Sequence, residues 1–248
     1  MKLIVLGEEP PVIMAVAAFN TRSATDPLAR ALAPQFSVLN YDRRGRGDSG
    51  DTTPYAVDRE IDDLAALIAA AGGSAAVFGY SSGATLALKA AAAGLPITKL
   101  ALYEPPFRTD DSHPGLPADF PAKLAELVSA GRRGDAVELY QTQAVGIPED
   151  VVAQLRHAPF RPGLEAIAHT LAYDAAIIGD LSLPAGLLAT VTAPALVISG
   201  ENSPPFLRNA ARAAAVALPG GQLATLPGQT HDINPDATAP VMAAFLAS

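Results

Sequence analysis

The chain of 248 residues contains no cysteine. That absence excludes disulfides, thiolate metal sites and a cysteine nucleophile, and it leaves the compartment open. Charge is sparse: 17% of the residues are Asp, Glu, Lys or Arg, and the formal net charge is −8. An acidic chain of this kind is a poor match for nucleic acid or for an anionic membrane surface, so neither is expected as a partner. No run of about 18 apolar residues occurs, and no membrane span is expected. The N-terminal apolar stretch is short, meets Glu8 and Glu9 at once and lacks a small-residue cleavage site. No signal peptide is therefore expected, and the expected location is cytoplasmic. No grouping of His and carboxylates has metal-ligand spacing, so no metal or other cofactor is expected.

What is present is mostly apolar. Half of the residues are hydrophobic, enough for a large core, and the length suits one α/β domain carrying an insertion. Residues 2–6 read as a short strand. Residues 11–19 read as a second, apolar throughout, the pattern of a strand buried on both faces. Asp26 is placed to cap a helix with Pro27 in its first turn. Strands are expected at 35–41, 75–78 and 98–103, and helices at 56–71 and 82–93. This alternation predicts an α/β fold with a mostly parallel central sheet and helices on both faces. From residue 105 to 190 the rhythm changes to helical periods at 117–130, 135–144, 149–157 and 163–178. That stretch is expected to be an all-helical cap over one edge of the sheet, leaving 1–104 and 191–248 as the core. Strands at 195–199 and 222–226 and helices at 204–217 and 234–246 complete the alternation.

At one strand-to-helix junction the chain reads Gly79-Tyr80-Ser81-Ser82-Gly83. A serine between two glycines there is the nucleophile-elbow pattern, informative because a strand precedes it and a helix follows. Glycine is needed where a side chain would collide with neighbouring backbone. The turn presents Ser81 at the carboxyl end of the strand, beside helix N-terminal amides that can receive an oxyanion.

Two further segments join this one. Asp42-Arg43-Arg44-Gly45-Arg46-Gly47-Asp48-Ser49 is similar to the D-x-R-G-x-G-x-S loop of α/β-hydrolases, and Leu226-Pro227-Gly228-Gln229-Thr230-His231 follows the last strand as their base-bearing loop does. With the elbow between them, the chain resembles an α/β-hydrolase with a helical cap over nearly its whole length outside the cap. The resemblance implies that His231 is the base that activates Ser81, while His113, His157 and His169 are read as surface or satisfied helix histidines. Many relatives place the acid three residues beyond the glycine that ends the later strand. Here that position is Ser203, which carries no charge. Some relatives, certain haloalkane dehalogenases among them, place it at the strand end occupied here by Glu104. Glu104 is accordingly preferred over Glu201 and over Asp232, and the order Ser81, Glu104, His231 agrees with this fold. One oxyanion donor is expected from the N–H of Ser82. The other is expected from Ala18, in a loop that reads Val16-Ala17-Ala18-Phe19 where relatives usually carry His-Gly. The arginine-rich loop lacks a G-K-[ST] ending and is read as structural, with Asp42 and its arginines tying a glycine-bent loop to its neighbours.

The chemistry implied is hydrolysis of a small carboxylic ester, lactone or thioester. A serine at the elbow argues against dehalogenase and epoxide-hydrolase reactions, which need a carboxylate there. Haloperoxidase-like and acyltransferase activities would use the same residues. Two other classes stay open: a homologue that binds a small apolar ligand without hydrolysing it, and a cofactor-independent lyase or isomerase. Phe19 and Tyr80 are expected to touch the substrate, and Phe107, Phe120, Leu124, Leu127, Tyr140, Phe160 and Tyr173 are candidates to line an apolar pocket. The expected partner is a small apolar ester-like molecule, and a homodimer is compatible with the sequence.

Overall fold

The computed structural model describes residues 3–6 and 10–248. Of the strand expected at 2–6, Lys2 lies outside the described residues. Among the described residues seven strands form one sheet: β1 (Leu3–Leu6), β2 (Pro11–Ala15), β3 (Ser37–Tyr41), β4 (Ala75–Tyr80), β5 (Ile97–Tyr103), β6 (Ala195–Gly200) and β7 (Gly221–Leu226). Their order is β1-β3-β2-β4-β5-β6-β7. All neighbours are parallel except β1, which pairs antiparallel with β3 through Leu3 opposite Tyr41.

Side chains of a strand alternate between its two faces, and the core divides accordingly. Ile13, Val77, Leu100, Leu102 and Val197 pack on one face against helices α2 (Val57–Ala70), α3 (Ser82–Ala92) and α10 (Pro205–Ala217). Val12, Met14, Phe78, Ala101 and Ile198 pack on the other, against α1 (Asp26–Leu32) and α11 (Pro235–Ala247). Every residue of β4 and of β6 is buried, as expected for central strands covered on both sides. Asp26 begins α1 but its side chain caps nothing; it pairs with Arg30 at 2.7 Å, and Thr25 holds the cap position.

Between β5 and β6 the chain forms α4 (Phe120–Ser129), α5 (Arg133–Gln143), α6 (Glu149–Leu155), α7 (Arg161–Ala166), α8 (Leu171–Ile178) and α9 (Ala185–Leu188). The single helix expected at 163–178 is two, parted by a 3-10 turn at Ala168–Thr170, and α9 was not expected at all. The strand expected at 11–19 stops at Ala15, because residues 16–20 turn away to face the arginine-rich loop. No helix among the described residues is long and apolar enough to cross a membrane.

Candidate active site

Parallel strands present their carboxyl ends along one edge, and a crevice there collects loops from several strands. Residues 16–20 follow β2, Ser81 follows β4, Glu104 follows β5 and His231 lies five residues beyond β7. Ser81 sits in the elbow at φ 52°, ψ −115°, a conformation unfavourable for a side-chain-bearing residue. Its N–H donates to Tyr103 O at 2.9 Å, which fastens the turn to the end of β5. The two glycines are there for space: a Cβ on Gly83 would lie 2.3 Å from Ala15 O, and one on Gly79 would lie 2.5 Å from Ala84 Cα.

Glu104 and His231 are brought together. Glu104 Oε2 and His231 Nδ1 are 2.6 Å apart. The other carboxylate oxygen, Oε1, accepts the Gly200 N–H at 2.8 Å and the Ser199 hydroxyl at 3.1 Å, so three donors converge on one fully buried side chain. Glu104 also carries a positive φ of 46°. The loop bearing His231 passes close over the end of β6, where a Cβ on Gly200 would come within 2.6 Å of Gln229 O and Thr230 O. Tyr103 Oη donates to Thr230 O at 2.8 Å and holds the loop from the other side.

The competing carboxylate is elsewhere. Glu201 is exposed, and its Oε2 accepts the Gly228 N–H at 2.9 Å, bracing the turn before His231. Ser203 is buried, and its hydroxyl has no hydrogen-bond partner among the described residues.

Ser81 and His231 line the same cavity of about 200 Å³, with Ala17, Ala18, Phe19, Asn20 and Tyr80 on the sheet side. The opposite wall comes from Tyr140, Ala144, Val145 and Ile178 of the helical segment and from Phe206 and Leu207 of α10. Of the seven aromatic and leucine candidates named from the sequence, only Tyr140 lines it. Phe107, Phe120 and Leu124 are buried in the core, Leu127 packs at its margin and Phe160 is exposed. Tyr173 stacks on Tyr55 with ring centroids 3.9 Å apart and donates to Asp51. Burial pushes the Tyr80 and Tyr140 phenols well above their ordinary value, so both face the cavity protonated. His231 supplies the only ionisable group of the lining beside those phenols, which suits an uncharged guest.

The backbone N–H groups of Ala18, Phe19 and Ser82 donate to no acceptor among the described residues. Ala17 has an ordinary backbone, as loss of a glycine there demands. The left-handed residue of this loop is Phe19, at φ 62°. The arginine-rich loop is structural as expected. Asp42 accepts the backbone N–H groups of Arg22 and Asp48, and Arg43 pairs with Glu60 through two bonds of 2.7 and 2.8 Å.

Of the other histidines, His113 is buried against Phe206, a cavity-wall residue, with ring centroids 4.7 Å apart. Its Nδ1 accepts the Gly115 N–H at 3.0 Å, which places the proton of the neutral ring on Nε2. Burial holds its pKa below the ordinary 6.5. The unfolded chain therefore takes up a proton near pH 6.5 that the folded chain refuses, and the stability this contributes is present above that pH and lost as pH falls below it. The thermal midpoint is expected to fall between pH 7.5 and 5.5, and His113→Gln is expected to flatten that profile. An equally steep profile in the variant would show that His113 is not a source of it.

A model of the alpha/beta hydrolase family matches residues 17–244. Among solved structures, an alpha/beta hydrolase from Sphaerobacter thermophilus is 52% identical with a TM-score of 0.92, covering 99% of this chain and 95% of that one. An enol-lactonase from Burkholderia xenovorans (22% identity, TM-score 0.75, 100% and 96% covered) and a thermophilic esterase from Thermogutta terrifontis (22%, 0.73, 99% and 92%) share the fold. No curated protein matches the chain.

Proposed function

The chain belongs to the alpha/beta hydrolase family, and from that premise we propose that it is a serine hydrolase acting on a small, uncharged carboxylic ester, lactone or thioester. The observation that carries this reading is the 2.6 Å contact between Glu104 and His231, on the same cavity as a serine held in the elbow conformation. A carboxylate on Nδ1 fixes the tautomer whose Nε2 is free to take a proton, and it stabilises the imidazolium that results.

In the proposed reaction Ser81 Oγ attacks the carbonyl carbon while its proton passes to His231 Nε2. The negative charge that develops on the carbonyl oxygen is received by the N–H of Ser82 and by that of Ala18, with Phe19 one residue on. Collapse of the tetrahedral intermediate breaks the bond to the leaving group, which departs with the proton from His231. Water then attacks the acyl-enzyme by the same route and frees Ser81. Donors fixed in place before the charge appears contribute most in a site that excludes water. Helices α4–α9 act here as a cap, closing the cavity with Tyr140, Ala144, Val145 and Ile178. The small apolar volume favours short acyl groups, and the enol-lactonase and esterase of the same fold support this class of substrate.

Purified protein is expected to be labelled by a fluorescent fluorophosphonate and to hydrolyse p-nitrophenyl acetate faster than p-nitrophenyl octanoate. If it neither labels nor turns over any short ester, the hydrolase reading fails and a ligand-binding or lyase role takes its place.

A further inference from the structure

We infer that Arg46 and Asn20 are positioning residues for the oxyanion side of this site, holding by their carbonyl ends the two peptide units of the cavity lining whose N–H groups have no acceptor among the described residues; the inference rests on the hydrolase reading above. A trans peptide points its C=O and N–H in opposite directions, so whatever holds the carbonyl aims the amide. The N–H of Ala18 belongs to the unit whose oxygen is Ala17 O, and that oxygen accepts from Arg46 Nη1. The N–H of Phe19 belongs to the unit whose oxygen is Ala18 O, and that oxygen accepts from Asn20 Nδ2 at 2.8 Å. Each candidate donor is thus gripped at its far end by a side chain. Arg46 also reaches Asn20 O at 3.3 Å, closing over the whole turn. A cationic donor on a carbonyl polarises the peptide and strengthens its N–H as a donor.

The grip matters because this loop is not at rest without it. It reads Val16-Ala17 where relatives usually have His-Gly, and it places Phe19 at φ 62°, a costly conformation for a bulky residue that persists only when the surroundings hold it. The Asn20 bond spans Phe19, and the Phe19 ring is packed edge-on against Tyr140 at 5.3 Å. Arg46 is itself immobilised. It is buried, and its Nη2 is paired with Asp174 of α8. Asp174 accepts in addition from Arg43 Nη1 at 2.8 Å and from the Ser82 hydroxyl at 2.7 Å, while Arg43 donates to Val16 O at 3.1 Å. One buried carboxylate therefore references the Ala18 loop and the residue after the nucleophile to the same point, so the two halves of the oxyanion site keep their spacing. Desolvation by burial opposes the charge on Asp174, but Arg46 and Arg43 outweigh it and hold its pKa below the ordinary carboxylate value.

The test compares wild type with Asn20→Ala and with Arg46→Lys, which keeps a cation beside Asp174 but lacks the fork that reaches the backbone oxygens. The readouts are kcat and KM on p-nitrophenyl acetate, the Ki of a small trifluoromethyl ketone whose tetrahedral adduct presents an oxyanion, and the thermal midpoint. We expect kcat to fall about 10–100-fold in each variant, short of the roughly 10²–10³-fold seen when a donor is removed outright. KM should stay within about twofold, and Ki should rise in step with the loss in kcat/KM, as for an interaction made only in the transition state. A folded variant with wild-type kcat and Ki, or one whose loss is confined to KM or the thermal midpoint, overturns the inference. Should Arg46→Lys fail to fold, Asn20→Ala decides, since it leaves the buried charges intact. A wild type that neither labels nor turns over ester removes the hydrolase reading and this inference together, whereas an active wild type with unaffected variants removes the inference alone.

Discussion

Replacing Ser81 by alanine is expected to abolish fluorophosphonate labelling and to lower kcat for p-nitrophenyl acetate by about 10⁴-fold or more. Ser81 is the only serine or threonine in the cavity lining, so the proposed acyl-enzyme loses its attachment point. Alanine keeps the Cβ and the backbone at φ 52°, so the elbow retains its shape and the variant should fold as the wild type does. Whatever rate survives measures the cavity and the amide donors acting on water alone. Unchanged turnover or labelling in Ser81→Ala would move the reaction to another residue and end the proposal.

Glu104→Gln is expected to lower kcat by about 10³–10⁴-fold while leaving the protein folded, because an isosteric amide cannot meet the three donors that converge here. Gly200 N–H is fixed by the backbone and must find an acceptor, so the amide oxygen turns toward Gly200 and Ser199. The NH₂ group then faces His231 Nδ1 across 2.6 Å. Two donors cannot share that line, and the imidazole moves its proton to Nε2, the atom that must be free to take one from Ser81. Glu201→Gln is the matched control and should stay within about threefold of wild type, since an exposed acceptor for a turn amide contributes little to the reaction. Full activity in Glu104→Gln with loss in Glu201→Gln would reassign the acid.

The contrast between those two carboxylates shows which parts of the site were legible in the chain. Ser81 and His231 stand in local patterns, a serine between glycines and a histidine after the last strand, so neighbouring residues announced them. Glu104 could be preferred only through the lack of charge at Ser203 and the strand-end position that some relatives use for their acid. Its bonds to Gly200, Ser199 and His231 join residues 95 to 127 positions away, and nothing local encodes them. The positive φ values of Phe19, Ser81 and Glu104 were hidden for the same reason: none is glycine, and the surroundings impose the conformation. Helical periodicity found the segment between β5 and β6 but not its break at Ala168–Thr170. Nor could periodicity separate cavity from core there, so Phe107 and Phe120 were candidates while Phe206 and Leu207, in α10, were missed. A trace of the buried cluster was present, however. Asp174 is a lone acid in the run Leu171–Ile178, and an isolated charge among apolar residues must find a partner inside.

The helical segment leaves the sheet after β5 and returns at β6, its immediate neighbour, and Arg108 and Ser182 pair as a single bridge where the two ends meet. Geometrically it is a cassette: both ends plug into one socket, and a replacement of different length or shape could be fitted without altering strand order. The socket is keyed, however. Two buried guanidiniums, Arg43 and Arg46, wait beneath it; among the described residues Glu60 is the one scaffold carboxylate paired with them, and Asp174 is the tooth that completes the fit. A transplanted segment lacking an acid at that depth would leave an unmatched positive charge under the site, whatever pocket it brought with it.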